Sequence, residues 1–262
     1  MNVHWLPSTD ERPAGGTADE QPIEQRKVSE EQEQRRRVRS FVRRPGRLTP
    51  AQQRALEDLL PIYAVPDDAD TLDELFERPA PLIVEIGCGN GEALCWMAAR
   101  EPHANFVGIE VHEPGVGRLL RGLEAAGLGN VRVAMRDAVE VLQQQPEASI
   151  DMLRVYFPDP WPKKRHHKRR LVSPAFAALA ARVLRPGGRL HLATDWVPYA
   201  EWMHDVLAEQ PALENLGGPD VVKPDWRPET HFERRGLKRG HEVRDLLYRR
   251  RPDVECVGPP GC

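Results

Sequence analysis

The chain has 262 residues, of which 40% are hydrophobic and 29% are charged, and its formal net charge is −3. This length fits one large α/β domain or two small ones, and the composition excludes collagen-like and low-complexity chains. The amino terminus lacks the basic and apolar regions of a signal peptide, and no apolar run approaches the roughly 20 residues that cross a bilayer.

The cysteines argue against a disulfide framework and against a structural zinc site. Cys88, Cys95, Cys256 and Cys262 form no C-x-x-C pair, and no histidine stands at zinc-ligand spacing from two of them. We therefore expect a soluble, cytoplasmic protein with reduced thiols, no bound metal and no membrane partner.

The chain divides into three predicted regions. Residues 1–36 are rich in Glu, Gln, Arg and Pro and nearly empty of large apolar side chains, so we predict a disordered tail. Residues 37–251 are predicted to form one domain that opens with a basic segment, and 252–262 a flexible tail. Within the domain, Thr49 before Pro50 is typical of a helix start.

From residue 82 onward, short apolar strands alternate with amphipathic helices. We predict strands at 82–86, 105–110, 131–135, 150–157, 189–194 and 242–248. Helices are predicted at 92–100, 115–126, 174–184 and 197–207, and a short helix follows the turn at 136–138 and ends at 142. This alternation is typical of a doubly wound α/β fold with a parallel sheet.

A glycine-rich loop follows the first predicted strand, in the run Val-Glu-Ile-Gly-Cys-Gly-Asn-Gly. Gly87, Gly89 and Gly91 let the backbone approach a ligand closely. A dinucleotide-binding loop has its third glycine one position later, where this chain has Glu92. Together with Glu85 before the loop, this favours a cationic ligand without phosphate. S-adenosylmethionine, which carries a sulfonium and an ammonium group, has these properties.

Further acids follow the next two strands. Glu110 closes the second strand, where a carboxylate can accept ribose hydroxyl protons, and Asp137 follows the third, where it can accept from an adenine amino group. Either acid taken alone is more often a solvated loop residue. Because ligands in open α/β sheets bind at the carboxyl ends of the strands, Glu85, Glu110 and Asp137 together indicate a nucleoside site.

A proline-rich loop and a basic block follow the fourth strand. Asp159 lies between Pro158 and Pro160, which stiffen the loop and hold one carboxylate and the indole of Trp161 at the strand end. The next residues, 163–170, are all Lys, Arg or His. Further basic clusters lie at 35–47, 234–239 and 249–251. Such clusters in a net acidic chain indicate a large polyanion, and the block beside the loop favours phosphate contacts.

Seven runs of the sequence form a family pattern between about residue 39 and residue 250. They are R-S-F-V-R-R-P-G-R, V-E-I-G-C-G-N-G, G-I-E-V-H, R-D-A, F-P-D-P-W-P-K-K-R-H-H-K-R-R, A-T-D-W and T-H-F-E-R-R-G. With these runs the chain resembles the bacterial tRNA (guanine-N7)-methyltransferases. The F-P-D-P-W run with its basic continuation is highly specific, whereas the glycine loop is generic to class I methyltransferases.

The resemblance implies an α/β fold of the class I S-adenosylmethionine-dependent methyltransferase (Rossmann-like) type, with a doubly wound, mostly parallel, seven-stranded sheet. It implies methyl transfer from S-adenosylmethionine to N7 of guanosine 46 in the variable loop of tRNA. We expect the enzyme to act as a monomer or a homodimer.

The resemblance also implies roles for individual residues. Cofactor binding is expected at the loop glycines and at four acids: Gly87, Gly89, Gly91, Glu85, Glu110, Asp137 and Asp159. Asp159 additionally matches the catalytic position. Substrate binding is expected at Lys163, Asp195, Thr230, His231, Phe232 and Glu233. RNA contact is expected at Arg165, His166, His167, Lys168, Arg169 and Arg170. His231 departs from the family pattern, which commonly has Lys at that position.

The chemistry agrees with this set of residues. Guanine N7 carries an in-plane lone pair and can attack a methyl group without first losing a proton, so no strong general base is required. Three alternatives stay open. A class I methyltransferase for a small molecule or a protein would not need the basic block. A nicotinamide-dependent oxidoreductase conflicts with Glu92, and an RNA-binding protein without catalysis would not need the cofactor acids.

Overall fold

The computed structural model describes residues 46–218 and 221–252. The predicted tail at 1–36 lies outside these residues, as do the basic stretch up to residue 45, the chain after residue 252, and therefore Cys256 and Cys262.

One seven-stranded sheet runs through the described chain. Its strands are β1 Leu82–Ile86, β2 Asn105–Ile109, β3 Val131–Ala134, β4 Ile150–Tyr156, β5 Leu184–Thr194, β6 Leu213–Asn215 and β7 Arg244–Arg250. Their order across the sheet is β3-β2-β1-β4-β5-β7-β6. The first five strands pair in parallel, whereas β7 is antiparallel to β5 and to β6. The prediction of a doubly wound, mostly parallel, seven-stranded sheet is confirmed.

Eight α-helices accompany the sheet in the described ranges. They are α1 Pro50–Asp58, α2 Leu60–Tyr63, α3 Glu92–Arg100, α4 Glu113–Ala126, α5 Ala138–Gln144, α6 Pro174–Val183, α7 Val197–Ala208 and α8 His231–Leu237. The predicted start at Thr49 is confirmed, because Thr49 and Gln52 form a reciprocal capping box at the first turn of α1. Short 3-10 helices lie at Asp73–Leu75 and Lys164–Arg169.

Two hydrophobic layers cover the two faces of the sheet. On one face, α6 and α7 contribute Phe176, Ala180 and Met203. On the other face, α3 and α4 contribute Leu94 and Leu119. Every residue of β1 and β2 is buried, which explains why these strands are short runs of mostly apolar residues without alternation. Helices on both faces leave the carboxyl ends of the parallel strands as the edge where loops are free to form a site.

The structure differs from the prediction in several elements. β5 begins at Leu184, five residues before the predicted start, because the Arg-Pro-Gly-Gly run is a strand irregularity: the pairing of β4 with β5 shifts register between Ile150 and Met152. The short strand β6 and the helix α8 were not predicted. The last strand, β7, spans Arg244–Arg250, two residues later than expected.

Candidate active site

The glycine loop after β1 has the open backbone that the sequence indicates. Gly87, Gly89 and Gly91 have φ angles of 74°, 58° and 75°, a region that disfavours side chains. A Cβ on Gly87 would meet no atom within 4 Å, so open space lies above this residue. A Cβ on Gly91 would overlap Leu119 of α4, so Gly91 is needed for packing. The loop therefore divides into an open part and a packed part.

Cys88, between the first two glycines, is part of the packed side. Its residue is only 6% exposed, and a Cβ on Gly108 of β2 would lie 2.9 Å from its Sγ. Burial, with the nearby carboxylates of Glu110 and Glu85, raises the pKa of the thiol well above its ordinary value. The thiol is thus a neutral packing group beneath the loop.

Glu85 is a buried acid with an unsatisfied oxygen. It lies in β1 opposite Arg154 of β4 and is 3% exposed. Its Oε2 has no hydrogen-bond partner, and burial raises the pKa of its carboxyl to about 7, although the Arg154 charge acts to lower it. A buried carboxylate without a donor is costly, so the residue fits a ligand that brings positive charge or N–H donors.

Glu110 is held in place by backbone amides. Its Oε2 accepts from the Gly89 N–H at 2.8 Å, and its Oε1 accepts from the N–H groups of Val111 and His112 at 2.7 and 2.9 Å. These three bonds fix the carboxylate against the glycine loop. Oε2 keeps acceptor capacity beyond the Gly89 bond, which suits a ribose hydroxyl.

Asp137 follows β3 and caps α5. Its Oδ1 accepts from the Val139 N–H at 2.8 Å, as an N-cap residue does. This structural role was not predicted from the sequence. The predicted contact to an adenine amino group stays a prediction.

The loop after β4 carries backbone strain on both sides of Asp159. Phe157 and Trp161 have φ angles of 52° and 44°, which is uncommon for bulky side chains and typical of functional sites. Arg170 donates from Nε to the Pro160 carbonyl at 3.0 Å and so ties the loop down. Burial raises the pKa of Tyr199 to about 12, and the charge of Asp159 adds to this shift.

The basic block forms a 3-10 helix, Lys164–Arg169, where the sequence showed only a charge run. Lys163, Lys164, Arg165 and Lys168 are exposed, and His166, His167 and Arg169 are half-buried. The Arg169 guanidinium lies 5.0 Å from the centre of the Trp161 ring, and the His166 ring meets that indole edge-on at 5.8 Å. The block therefore packs on the Asp159 loop and presents its cations to solvent.

Arg170 differs from the rest of the block, and its predicted RNA contact requires a correction. The residue is 6% exposed, and its guanidinium lies over the rings of Tyr199 and Trp202 at 4.9 and 5.5 Å. With its Nε bound to Pro160, this side chain supports the loop from within and is not presented to a polyanion.

The T-H-F-E run begins α8 and forms a second capping box. Thr230 Oγ1 accepts from the Glu233 N–H at 3.1 Å, and Glu233 Oε2 accepts from the Thr230 N–H at 3.4 Å. Thr230 and Glu233 are buried, whereas His231 and Phe232 between them are exposed. The run thus has two structural members and two members that face solvent.

α8 lies against the cofactor loop and against the end of β5. Phe232 Cε2 would be 3.7 Å from a Cβ on Gly89, and Arg234 pairs with Glu92 at 2.7 Å. Gly236 has no room for a Cβ because Asp195 Oδ2 would lie 2.7 Å away. Residues that the sequence predicted separately, in the glycine loop, after β5 and in T-H-F-E, are brought together by this helix.

Comparison with known proteins assigns the chain to a family. A family model described as "Putative methyltransferase" matches residues 79–246. A tRNA (guanine-N(7)-)-methyltransferase of Xanthomonas campestris pv. campestris is 54% identical over 238 residues, covering 88% of this chain and 90% of the relative. The chain belongs to the tRNA (guanine-N7)-methyltransferase family. Relatives of the same name from Halorhodospira halophila and Alkalilimnicola ehrlichii are 55% and 56% identical and are covered over 98% and 94% of their lengths.

A solved structure agrees with the fold of this family member. The crystal structure of the 16S rRNA methyltransferase KamB matches with a TM-score of 0.50 at 18% identity, covering 72% of this chain and 99% of KamB. The class I methyltransferase fold and the methyltransferase assignment are confirmed, and the oxidoreductase alternative is wrong. Among the described residues, no group of three His, Cys, Asp or Glu could hold a metal, and no helix is long and apolar enough to cross a membrane.

A buried polar network behind the site of this methyltransferase was not predicted from the sequence. Arg227, Asp245 and His191 are 1%, 3% and 0% exposed. His191 joins Asp245 at 2.8 Å and the Tyr156 hydroxyl at 3.0 Å. Burial acts to raise the pKa of Asp245, but its bonds to His191 and Arg227 lower it below its ordinary value. No sequence signal marks these residues, because they come from separate strands and a loop.

Proposed function

We propose that the chain transfers the methyl group of S-adenosylmethionine to N7 of guanosine 46 in the variable loop of tRNA. The observation that carries this proposal is that two loops follow the neighbouring parallel strands β1 and β4 at one edge of the sheet. The first is the glycine loop, which follows the buried and unsatisfied Glu85. The second is the strained Asp159 loop, which continues into the 3-10 helix with its exposed cations. The names of the relatives, tRNA (guanine-N(7)-)-methyltransferases, support the substrate and the base.

The cofactor half of the site suits S-adenosylmethionine. Glu85 Oε2 is buried without a donor, which suits the cationic methionine end of the cofactor directly or through water. The open space above Gly87 admits a ligand close to the backbone. Glu110 is held where its Oε2 can accept from the ribose, and Asp137 is our candidate for the adenine contact. Bound here, S-adenosylmethionine supplies an electrophilic methyl group on sulfur.

The methyl transfer itself requires positioning more than proton transfer. Guanine N7 forms the new N–C bond with its lone pair, and the electrons of the broken C–S bond remain on sulfur. Positive charge therefore develops on the base, and a carboxylate held nearby stabilises it. We assign this role to Asp159, whose loop is stiffened by prolines and tied down by Arg170. No residue has to act as a strong base.

Base recognition falls to the groups around α8 and the end of β5. Asp195 carries a half-buried carboxylate that can accept from the N1–H or the amino group of guanine. Glu233 is buried and accepts from Arg227 and from the Thr230 N–H, so it holds the start of α8 in place. His231 and Phe232 are exposed at the start of α8, and Phe232 adjoins the cofactor loop, so its ring can stack on a base extruded from the tRNA. Lys163 is exposed beside the Asp159 loop and can contact the adjoining phosphate.

The exposed cations of the 3-10 helix suit the tRNA backbone. Lys168 and Arg165 are exposed, and His166, His167 and Arg169 lie partly so on the same helix. Phosphate contacts supply most sequence-independent affinity and position the nucleic acid. A site for a small molecule would not need such a helix.

The test is a methylation assay on unmodified tRNA with methyl-labelled S-adenosylmethionine, followed by nucleoside analysis. We expect label in 7-methylguanosine, and no label in a matched tRNA with adenosine at position 46. Label in the variant tRNA would reject the position, and label in another nucleoside would reject the base. Label in neither tRNA by folded, cofactor-binding protein would reject the function.

A further inference from the structure

A buried arginine joins α8 to the sheet. Arg227 donates from Nε and Nη2 to the two carboxylate oxygens of Asp245, each at 2.7 Å. It also donates from Nη1 and Nη2 to the two oxygens of Glu233, at 2.5 and 3.3 Å. We call these three residues the Arg227 bridge. All three are buried, with exposed fractions of 1%, 3% and 4%.

The sheet end of the Arg227 bridge is rigid. Asp245 lies in β7 opposite Ala193 of β5, two residues before Asp195. Asp245 also pairs with His191 of β5, and the other ring nitrogen of His191 lies within hydrogen-bond distance of the Tyr156 hydroxyl in β4. Three neighbouring strands therefore fix the carboxylate that holds Arg227.

The helix end of the bridge lies at the substrate side of the site. Glu233 closes the capping box of α8, so its position determines where the first turn of the helix lies. That turn sets Phe232 against Gly89, and the next turn sets Gly236 against Asp195. A shift of α8 would therefore change the space between the cofactor loop and Asp195.

An arginine suits this bridge because its planar fork can donate to two carboxylates at once. A lysine has one ammonium and cannot make paired contacts to both acids. Lys223 shows the contrast: it reaches the same Glu233 Oε1 at 3.2 Å, but from the solvent side, with 38% of its side chain exposed.

We propose that Arg227 is a positioning residue for methyl transfer, which fixes Glu233 and the start of α8 relative to the cofactor loop without touching the substrate. The proposal rests on the proposed function, because it assigns the target base to the space beside α8. We assign most of the tRNA affinity to the 3-10 helix Lys164–Arg169, so the expected effect of Arg227 is on turnover more than on binding.

The test compares Arg227→Lys with Lys223→Ala, two changes at the same carboxylate. For Arg227→Lys we expect kcat, per cofactor-binding molecule, to fall at least tenfold, with the KM for tRNA and the Kd for the cofactor within about threefold of wild type. For Lys223→Ala we expect kcat within twofold of wild type. Wild-type kcat in Arg227→Lys, or an equal loss in both variants, would overturn the proposal.

A double-variant cycle separates positioning from a general loss of stability. Because Arg227 acts through Glu233, Arg227→Lys with Glu233→Gln should lose no more kcat than the worse single variant. Effects that multiply would overturn the proposal. Asp245→Asn tests the sheet end even if Arg227→Lys does not fold: kcat should fall at least threefold, and unchanged kcat would overturn it. Absence of tRNA methylation by the wild type would instead reject the proposed function.

Discussion

The two halves of the site are built in different ways. In the cofactor half, Glu110 and Asp137 are fixed by backbone N–H groups of their own or adjoining loops. In the substrate half, α8 is fixed by the buried ion pairs of Arg227 with Asp245 and Glu233, which join separate elements.

The cofactor half therefore depends on contacts between residues close in sequence, whereas the substrate half depends on contacts between distant ones. A carboxylate held by neighbouring amides depends on a short run of sequence, so its position follows once the strand and turn form. A helix held by a buried arginine depends on the whole sheet behind it. Breaking a buried pair by removing one partner typically costs about 3–5 kcal/mol, so the substrate half is the more sensitive to single changes.

The largest effect is expected in the substrate half. Asp159→Ala should reduce methyl transfer at least a hundredfold, because the loop holds this carboxylate where charge develops on the base. Turnover of tRNA at saturating S-adenosylmethionine is the measurement, and unchanged thermal unfolding is the control. Near-wild-type turnover by a folded variant would remove Asp159 from the mechanism.

A pH-dependent effect is expected in the cofactor half. The folded-state pKa of Glu85 is about 7, above its ordinary 4.5, so the folded chain keeps a proton that the unfolded chain releases as pH rises through this window. Wild-type stability should therefore fall over that range. Glu85→Gln removes this loss, which amounts to about 3 kcal/mol at most.

Urea unfolding of cofactor-free protein at pH 5 and pH 8 measures this effect. Glu113→Gln, an exposed change at the start of α4, is the control and should follow the wild type. If Glu85→Gln and wild type keep the same stability difference at both pH values, Glu85 does not titrate in this range.

The next effect tests the amide-held acid. Glu110→Ala should weaken cofactor binding about ten- to a hundredfold, because a hydrogen bond to a charged group contributes roughly 1.5–3 kcal/mol. Calorimetry with S-adenosylmethionine measures it, and tRNA affinity should change much less. Cofactor affinity equal to that of Glu113→Ala would contradict the ribose assignment.

The smallest effect concerns the exposed helix. Neutralising Lys164 and Lys168 should make the salt dependence of tRNA affinity shallower, because each cation that binds a phosphate contributes up to about 0.9 to the slope in a duplex and about 0.7 in a single strand. Arg118 and Arg121 of α4 are equally exposed, and their neutralisation is the control. Parallel salt lines for all three proteins would indicate that the helix is only a solvated face. Arg170 is excluded from this set because it is buried.

The fold could be predicted where structure is local. The strand at 82–86 and the helix at 92–100 were predicted with the bounds that the structure has, because buried parallel strands and amphipathic helices leave clear patterns. The predicted start of β5 was too late because Pro186 and the two glycines after it are typical of a turn. In the structure these residues belong to the strand, at the point where its pairing with β4 is irregular.

The site could be predicted only in part. Glu85 lies near the end of β1, whereas Glu110 and Asp137 follow the ends of β2 and β3, so their common edge was foreseeable. α8 was missed because its seven residues include three charged side chains and a glycine and show no apolar period, although T-x-x-E is a capping-box pattern that could have marked its start. The pairing of Arg227 with Asp245, 18 residues away, depends on how β7 enters the sheet and leaves no local pattern.

The alkylation rate of the buried Cys88 thiol should report how often the glycine loop opens. Thiol reagents attack the thiolate, and burial both hides this sulfur and keeps it protonated. Alkylation of Cys88 therefore has to wait for the glycine loop to lift away from β2. The alkylation rate of Cys88 is then set by the spontaneous opening of the glycine loop. A ligand bound over Gly87 should lower this rate as the fraction of ligand-free protein falls.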